Sequence, residues 1–431
     1  MSDVDLRQFS ISPLPYTGLF GVFLGCHAVA DALHVLHTGV GCKGKTQRQL
    51  VRHDLGREAH EKVGWTELGE AELIRDVAAG LRKAVPELQA RRQAAALLVT
   101  ASAAVELTGA DLEAAVREME AELGLPVVLI PGAASAPDLY AGYGAVVQAL
   151  VRMVDWSRTP DPRPTVSLVG HLFHRYEHEQ AANLTELRRL VEGLGASLGP
   201  TFLAGESVAT LAQAHAASAL VRLPYAGCTA DELSALTGRP VAACGLPMGL
   251  RGTANWLRTL AKTLDVGRGR VTSFIERGEY KTTSRLALAR ERLSGRRLAI
   301  VAEAPRAAGW VLLAQELGLV PALIVLTDRT LGGAPALEAH VAAAGGELPS
   351  DAPVVVDPSL IELREFAEEH VFDLAVRPDL SLAGSGWERI PTVETGFPAN
   401  HKHFVFPLPE LGYGGTVALA QRLLDAVGGV H

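Results

Sequence analysis

Short apolar runs at 95–100, 127–130, 166–169, 219–223, 298–302, 322–326 and 354–356 alternate with longer amphipathic stretches such as 111–123, 184–193, 255–264 and 360–369. A run that is apolar throughout must be covered on both faces, and strands alternating with helices are joined by crossovers. The pattern therefore predicts parallel sheets sandwiched between helices. At about 100–200 residues per domain, a chain of 431 residues holds several such units. The Pro-rich stretch 159–164 and the basic 294–297 each precede an apolar run. They divide the chain into three doubly wound, Rossmann-like α/β domains over 1–160, 161–290 and 291–431.

Lys and Arg number 40 against 48 Asp and Glu, for a formal charge of −8. No global basic field is available to hold nucleic acid or an anionic membrane. The start, Met1 to Arg7, lacks a basic region followed by an apolar core, and no apolar run reaches the roughly 18–20 residues of a membrane helix. These features point to a cytoplasmic protein of small molecules and protein partners, with no nucleic acid and no membrane.

The chain uses only four cysteines, which argues against a secreted disulfide scaffold. Cys26 and Cys42 stand 42 − 26 = 16 positions apart, each preceded by glycine. Thiolates are the natural ligands of iron–sulfur chemistry, and glycine lets a bulky inorganic group approach the backbone. Cys228 and Cys244 read as buried small hydrophobes. His171, His174 and His178 have a spacing that a zinc site could use on a helix, but no fourth ligand is evident, so they read as a solvated or interface cluster. Lys43, Lys45, Arg48 and Arg52 follow Cys42, either as a solvated face or as positive charge compensating thiolates or meeting an acidic partner. Neither Walker A nor G-x-G-x-x-G after a strand occurs, which places ATP on a partner.

In order along the chain come Cys26, then Leu36-His37-x-Gly39-x-Gly41-Cys42, Arg52-His53-Asp54 and Trp65-Thr66-Glu67. They are followed by Thr100 to Asp111 with Glu106 and Gly109, Leu246-Pro247-Met248-Gly249, Gly396-Phe397-Pro398 and Gly412-Tyr413-x-Gly415. This collinear set resembles the nitrogenase component 1 family, and its motifs are similar to those of the β-type subunit. The resemblance implies three α/β domains and a heterotetramer with an α-type subunit. It also implies an ATP-hydrolysing iron protein as electron donor, and an iron–sulfur cluster, four-iron or larger and P-cluster-like, shared with the partner.

By the same resemblance Cys26 and Cys42 are cluster ligands, and Glu67 and Glu106 belong to cluster-region motifs. His37 either hydrogen-bonds a cluster sulfide or is a loop histidine satisfied by backbone. The chain departs from the family pattern at Ala103, where a third cysteine is expected and Ser102 lies alongside. An alanine cannot bind iron. A tetrapyrrole reductase, a methylthio-alkane reductase that cleaves C–S bonds, and a cofactor-assembly scaffold are the subtypes such a half-site fits.

Overall fold

The computed structural model describes residues 16–39, 62–132, 134–380, 386–399 and 401–428. Cys42, Lys43, Lys45, Arg48 and the Arg52-His53-Asp54 motif lie outside them. The strands are β1 (Ala32–His37), β2 (Val63–Trp65), β3 (Ala96–Ala101), β4 (Val127–Ile130), β5 (Thr165–Val169), β6 (Ser197–Thr201) and β7 (Ala219–Arg222). They continue with β8 (Val241–Ala243), β9 (Arg297–Ala302), β10 (Val320–Leu326), β11 (Val354–Val356), β12 (Leu374–Arg377) and β13 (Thr392–Glu394). They form three sheets ordered β2-β1-β3-β4, β6-β5-β7-β8 and β11-β10-β9-β12-β13, and every pairing between these strands is parallel.

The α/β class expected from the apolar runs is the observed one. One sheet lies within each of the three expected spans, while the described chain gathers into two compact units. The first unit comprises 16–176 with 197–243 and holds the first two sheets; the second comprises 177–196 with 244–428 and holds the third. No helix among the described residues is long and apolar enough to cross a membrane.

In the first unit the early helices are α1 (Gly18–His27), α2 (Glu70–Arg75), α3 (Val77–Arg92), α4 (Ala103–Glu106), α5 (Leu112–Leu123) and α6 (Leu139–Met153). Every residue of β1 and β3 is buried. Leu33, Val35, Leu97 and Val99 pack with Leu81 and Val85 of α3 and with Val116 and Met119 of α5, so one face of the sheet is covered by helices. Asp76, Asp111 and Asp138 each cap a helix by accepting a first-turn N–H, at 3.0 Å from Ala79, 3.0 Å from Ala114 and 2.9 Å from Ala141. Helix α1 packs on α6 through glycine. A Cβ at Gly21 would sit 1.8 Å from the Leu139 carbonyl oxygen, and one at Gly142 1.8 Å from that of Gly18, so the backbones touch where any side chain would separate them.

The second unit is held at its centre by buried charge. Arg306 bonds Glu303 at 3.1 Å and Glu410 at 2.5 Å, and Arg422 bonds Glu410 at 2.8 Å. Burial pushes the Glu410 carboxyl up, but the two guanidinium groups more than offset this and hold its pKa at about 2.

Candidate functional site

In the first sheet the chain leaves β1 for β2 on one side and returns to β3 on the other. The carboxyl ends of β1 and β3 thus flank the point where the winding reverses. Ligands of open parallel sheets bind there because the connections depart to opposite sides and leave a crevice. His37 pairs with Ala101 in the β1–β3 register, and the Ser102 amide donates to the His37 carbonyl at 3.0 Å. The register ends there, and Thr38 and Ser102 follow the two strand ends.

The backbone at this edge is satisfied. The Thr38 amide donates to Thr66 Oγ1 at 3.0 Å, and the Thr38 carbonyl accepts from the Leu68 amide at 2.8 Å and from the Thr66 hydroxyl at 3.3 Å. Two side chains are not. The hydroxyls of Thr38, 1% exposed, and Ser102, 5% exposed, are buried without a hydrogen-bond partner. Ser102 occupies the N-cap of α4 with φ −74° and ψ 162°, a geometry in which serine ordinarily accepts a first-turn N–H, yet its side chain makes no cap bond. From sequence Ser102 stands out as the neighbour of Ala103, where a third ligand is expected, and Thr38 does not stand out.

His37 belongs to the same edge. Its ring is fully buried and Nδ1 lies 3.0 Å from Thr66 Oγ1. Burial lowers its pKa to about 4 against a smaller upward pull from the Val77 backbone, so the imidazole is neutral at physiological pH. Of the two expectations for His37, the structure shows one nitrogen serving the fold, tying β1 to the segment after β2, while Nε2 is buried without a hydrogen bond.

Cys26 precedes the amino end of β1. It lies in the last turn of α1, and the chain turns directly into the amino end of β1 at Ala32, whereas His37 closes the carboxyl end. Six residues of strand at about 3.3 Å each span roughly 17–20 Å. Cys42 follows Gly39, the last described residue of the carboxyl edge, by 42 − 39 = 3 positions. Cys42 lies outside the described residues, so the expected Cys26–Cys42 ligand pair stands as a proposal. Burial pushes the Cys26 thiol up. At that amino end Lys62 Nζ donates to the carbonyls of His27 at 2.9 Å and Val29 at 3.0 Å, and the Tyr176 hydroxyl donates to His27 at 2.7 Å, which caps the C-terminus of α1.

Glu67 is exposed with φ +55° and lines a surface groove of about 540 Å³ beside β2 and α3, together with Trp65, Lys83, Glu87 and Arg91. Glu106 is half-buried at the end of α4 and accepts from the Ala134 amide at 3.4 Å. Both follow strands of the first sheet. Among the described residues no three His, Cys, Asp or Glu side chains are grouped to hold one.

His171 and His174 are buried on an irregular segment after β5, while His178 is exposed at the start of a helix, so the three share no helical face. Cys244 is buried and Cys228 half-buried, and burial raises both thiols.

Residues 17–427 match the family model described as nitrogenase component 1 type oxidoreductase. The chain is 23% identical over 419 residues to the nitrogenase iron-molybdenum cofactor biosynthesis protein NifE of Rippkaea orientalis, covering 94% of this chain and 83% of that protein. It is 25% identical over 437 residues to the nitrogenase molybdenum-iron protein alpha chain of Methanococcus maripaludis, covering 96% and 85%. The structure of nitrogenase Cp1 at pH 6.5 superposes with a TM-score of 0.78 at 17% identity, covering 97% of this chain and 93% of that one, a likeness of fold.

Proposed function

The chain belongs to the nitrogenase component 1 type oxidoreductase family, and from that membership we propose that it is one subunit of a nitrogenase-like, ATP-dependent reductase complex. In this reading the carboxyl edge at β1 and β3 meets an iron–sulfur cluster shared with a partner subunit of the same family, Cys42 is this chain's thiolate, and an ATP-hydrolysing iron protein supplies electrons. The observation that carries the reading is the match to the nitrogenase component 1 type model over residues 17–427, with Cys42 following in sequence from the carboxyl end of β1.

Such a cluster, when bound, supplies one-electron transfer. This chain contributes a rigid, dry edge. Leu36 and Leu68 are buried there, His37 is locked by Thr66, and the strand-end amides are engaged within the sheet and its connections. In this reading the remaining ligands come from the partner. The motifs resemble the β-type half, whereas the relatives named above are an alpha chain and NifE. We therefore assign one half of a two-subunit core and leave its type to co-expression.

The test is to co-express the chain with a family partner under anoxic conditions and measure bound iron and the reduced-state paramagnetic resonance spectrum. Cys42→Ala should lower iron and change the spectrum; a variant with full iron and the parental spectrum would remove Cys42 and this reading of the edge. Reductive turnover on methylthio-alkanes and tetrapyrroles then assigns the substrate. The similarity to NifE over 94% of the chain favours a second reading, a scaffold on which an iron–sulfur cofactor is assembled. Transfer of a cofactor to an acceptor protein without reductive turnover identifies that case.

A further inference from the structure

The second sheet repeats the winding of the first. Its order β6-β5-β7-β8 takes the chain from β5 out to β6 and back across to β7, so the carboxyl ends of β5 and β7 flank a second switch point. A cavity of about 140 Å³ opens beside these ends, within the first unit. Its lining includes Val169, the last residue of β5, and Ala226 and Cys228 from the segment after β7. Val147 and Val151 of α6 and Leu233 and Leu236 of the helix Ala230–Thr237 close its sides. An apolar cavity of roughly 150 Å³ accommodates a molecule the size of benzene.

The backbone around the cavity is fixed. A Cβ at Gly144 would sit 2.5 Å from the Gly227 Cα, so α6 meets the segment after β7 at backbone distance. Gln148 Nε2 donates to the Gly227 carbonyl at 2.5 Å, and Arg222 Nε donates to the Cys228 carbonyl at 2.9 Å. The polar side chains that line the space are Gln148, Arg152, Cys228 and Glu232. Glu232 is committed to its own helix, where it accepts from the Thr229 amide at 2.7 Å and from the Thr229 hydroxyl at 3.0 Å. Burial raises the Cys228 thiol against the pull of Arg222, so the thiol is a neutral wall group. Arg152 is different. It is exposed, its guanidinium reaches Gln148 Oε1 at 3.5 Å, and it forms no ion pair among the described residues. The cavity thus joins an apolar interior to one uncommitted positive charge.

We propose that this cavity binds a small monocarboxylate of about six carbons, with its hydrocarbon part against Val151, Val169 and Leu233 and its carboxylate on Arg152. The planar guanidinium fork matches a carboxylate in geometry and charge. A dicarboxylate would press a second charge against apolar walls, which is costly. The site belongs to the second sheet and stands independently of the reading of the first-sheet edge.

The experiment uses the full chain with hexanoate as the probe and 1-hexanol as its neutral counterpart. Calorimetry measures binding, and alkylation of Cys228 by iodoacetamide, followed by peptide mass spectrometry, reports whether the cavity is filled. Hexanoate should bind saturably and slow alkylation at Cys228 over the same concentration range, with the Cys244 peptide unchanged. Arg152→Gln should weaken hexanoate about three- to tenfold and leave hexanol within about twofold. Leu236 is 42% exposed, so Leu236→Trp should close the mouth and abolish binding of both probes at a parental melting temperature. Three results would each overturn the proposal: no saturable binding of hexanoate to the parent, saturable binding that leaves Cys228 as reactive as before, or equal losses of hexanoate and hexanol in Arg152→Gln. Should Leu236→Trp melt early, the two probes on Arg152→Gln decide the matter alone.

Discussion

Cys26 and His37 stand at opposite ends of one strand: the helix turn that carries Cys26 leads into the amino end of β1, and His37 closes its carboxyl end. Cys26 is buried, 2% exposed. Cys26→Ala should cost on the order of 1 kcal/mol for the small cavity it leaves, while iron bound by the co-expressed complex stays at the parental level. Cys42→Ala should show the reverse, with a clear loss of iron. Metal analysis alongside a denaturation curve separates the two, and an iron deficit in Cys26→Ala would return that thiol to the site.

Thr66 is the junction of the carboxyl edge. Its hydroxyl oxygen accepts the Thr38 amide at 3.0 Å, faces His37 Nδ1 at 3.0 Å and lies 3.3 Å from the Thr38 carbonyl. Thr66→Val strands a buried amide and a buried imidazole, so a loss of about 2–3 kcal/mol is expected. Thr66→Ser should keep most of it. Urea midpoints at constant m-value provide the measurement.

Acid should weaken the first unit in a defined window. His34 is pushed down to about 3 by burial and secondarily by the charge of His27, and His37 to about 4, against an ordinary value of 6.5. Between those values and 6.5 the unfolded chain binds protons that the folded chain refuses. The stability is therefore fully present above pH 6.5 and is lost as the pH falls toward 4 and then 3. His34→Gln retains a neutral partner for Thr100, which now sits 2.6 Å from His34 Nε2, and should flatten the slope of unfolding free energy over that range. An unchanged slope would show that His34 does not carry it.

The glycine contact between α1 and α6 should tolerate no side chain. Gly142→Ala places a methyl group 1.8 Å from the Gly18 carbonyl oxygen and should cost about 2 kcal/mol or more as the helices separate. Gly267→Ala, where nothing lies within 4 Å, is the control and should be close to neutral. Comparable melting temperatures for the two variants would contradict this packing.

Much of the architecture could be read from the sequence because the central strands are apolar throughout. The runs at 127–130, 354–356 and the helix at 360–369 match the observed elements end to end. Others were found but shortened, as at 322–326, where β10 begins two residues earlier at Val320. Strand β1 escaped notice because His34 and His37 interrupt its apolar run, although the fold buries both. The three-residue edge strands β2, β8 and β13 are too short to carry any periodicity.

The sequence by itself determined the class of fold, the alternation that makes its sheets parallel, and, through motifs spread over the whole chain, the family to which it belongs. It could not decide which motif residues meet. Between Cys26 and the carboxyl end of β1 lie the turn after α1 and a full strand. His37 and Ala101, 101 − 37 = 64 positions apart, become partners through the β1–β3 register alone. Proximity across a parallel sheet depends on strand order and register, which crossover connections set over long separations in sequence, so only the tertiary structure could bring the carboxyl ends of β1 and β3 together at the switch point.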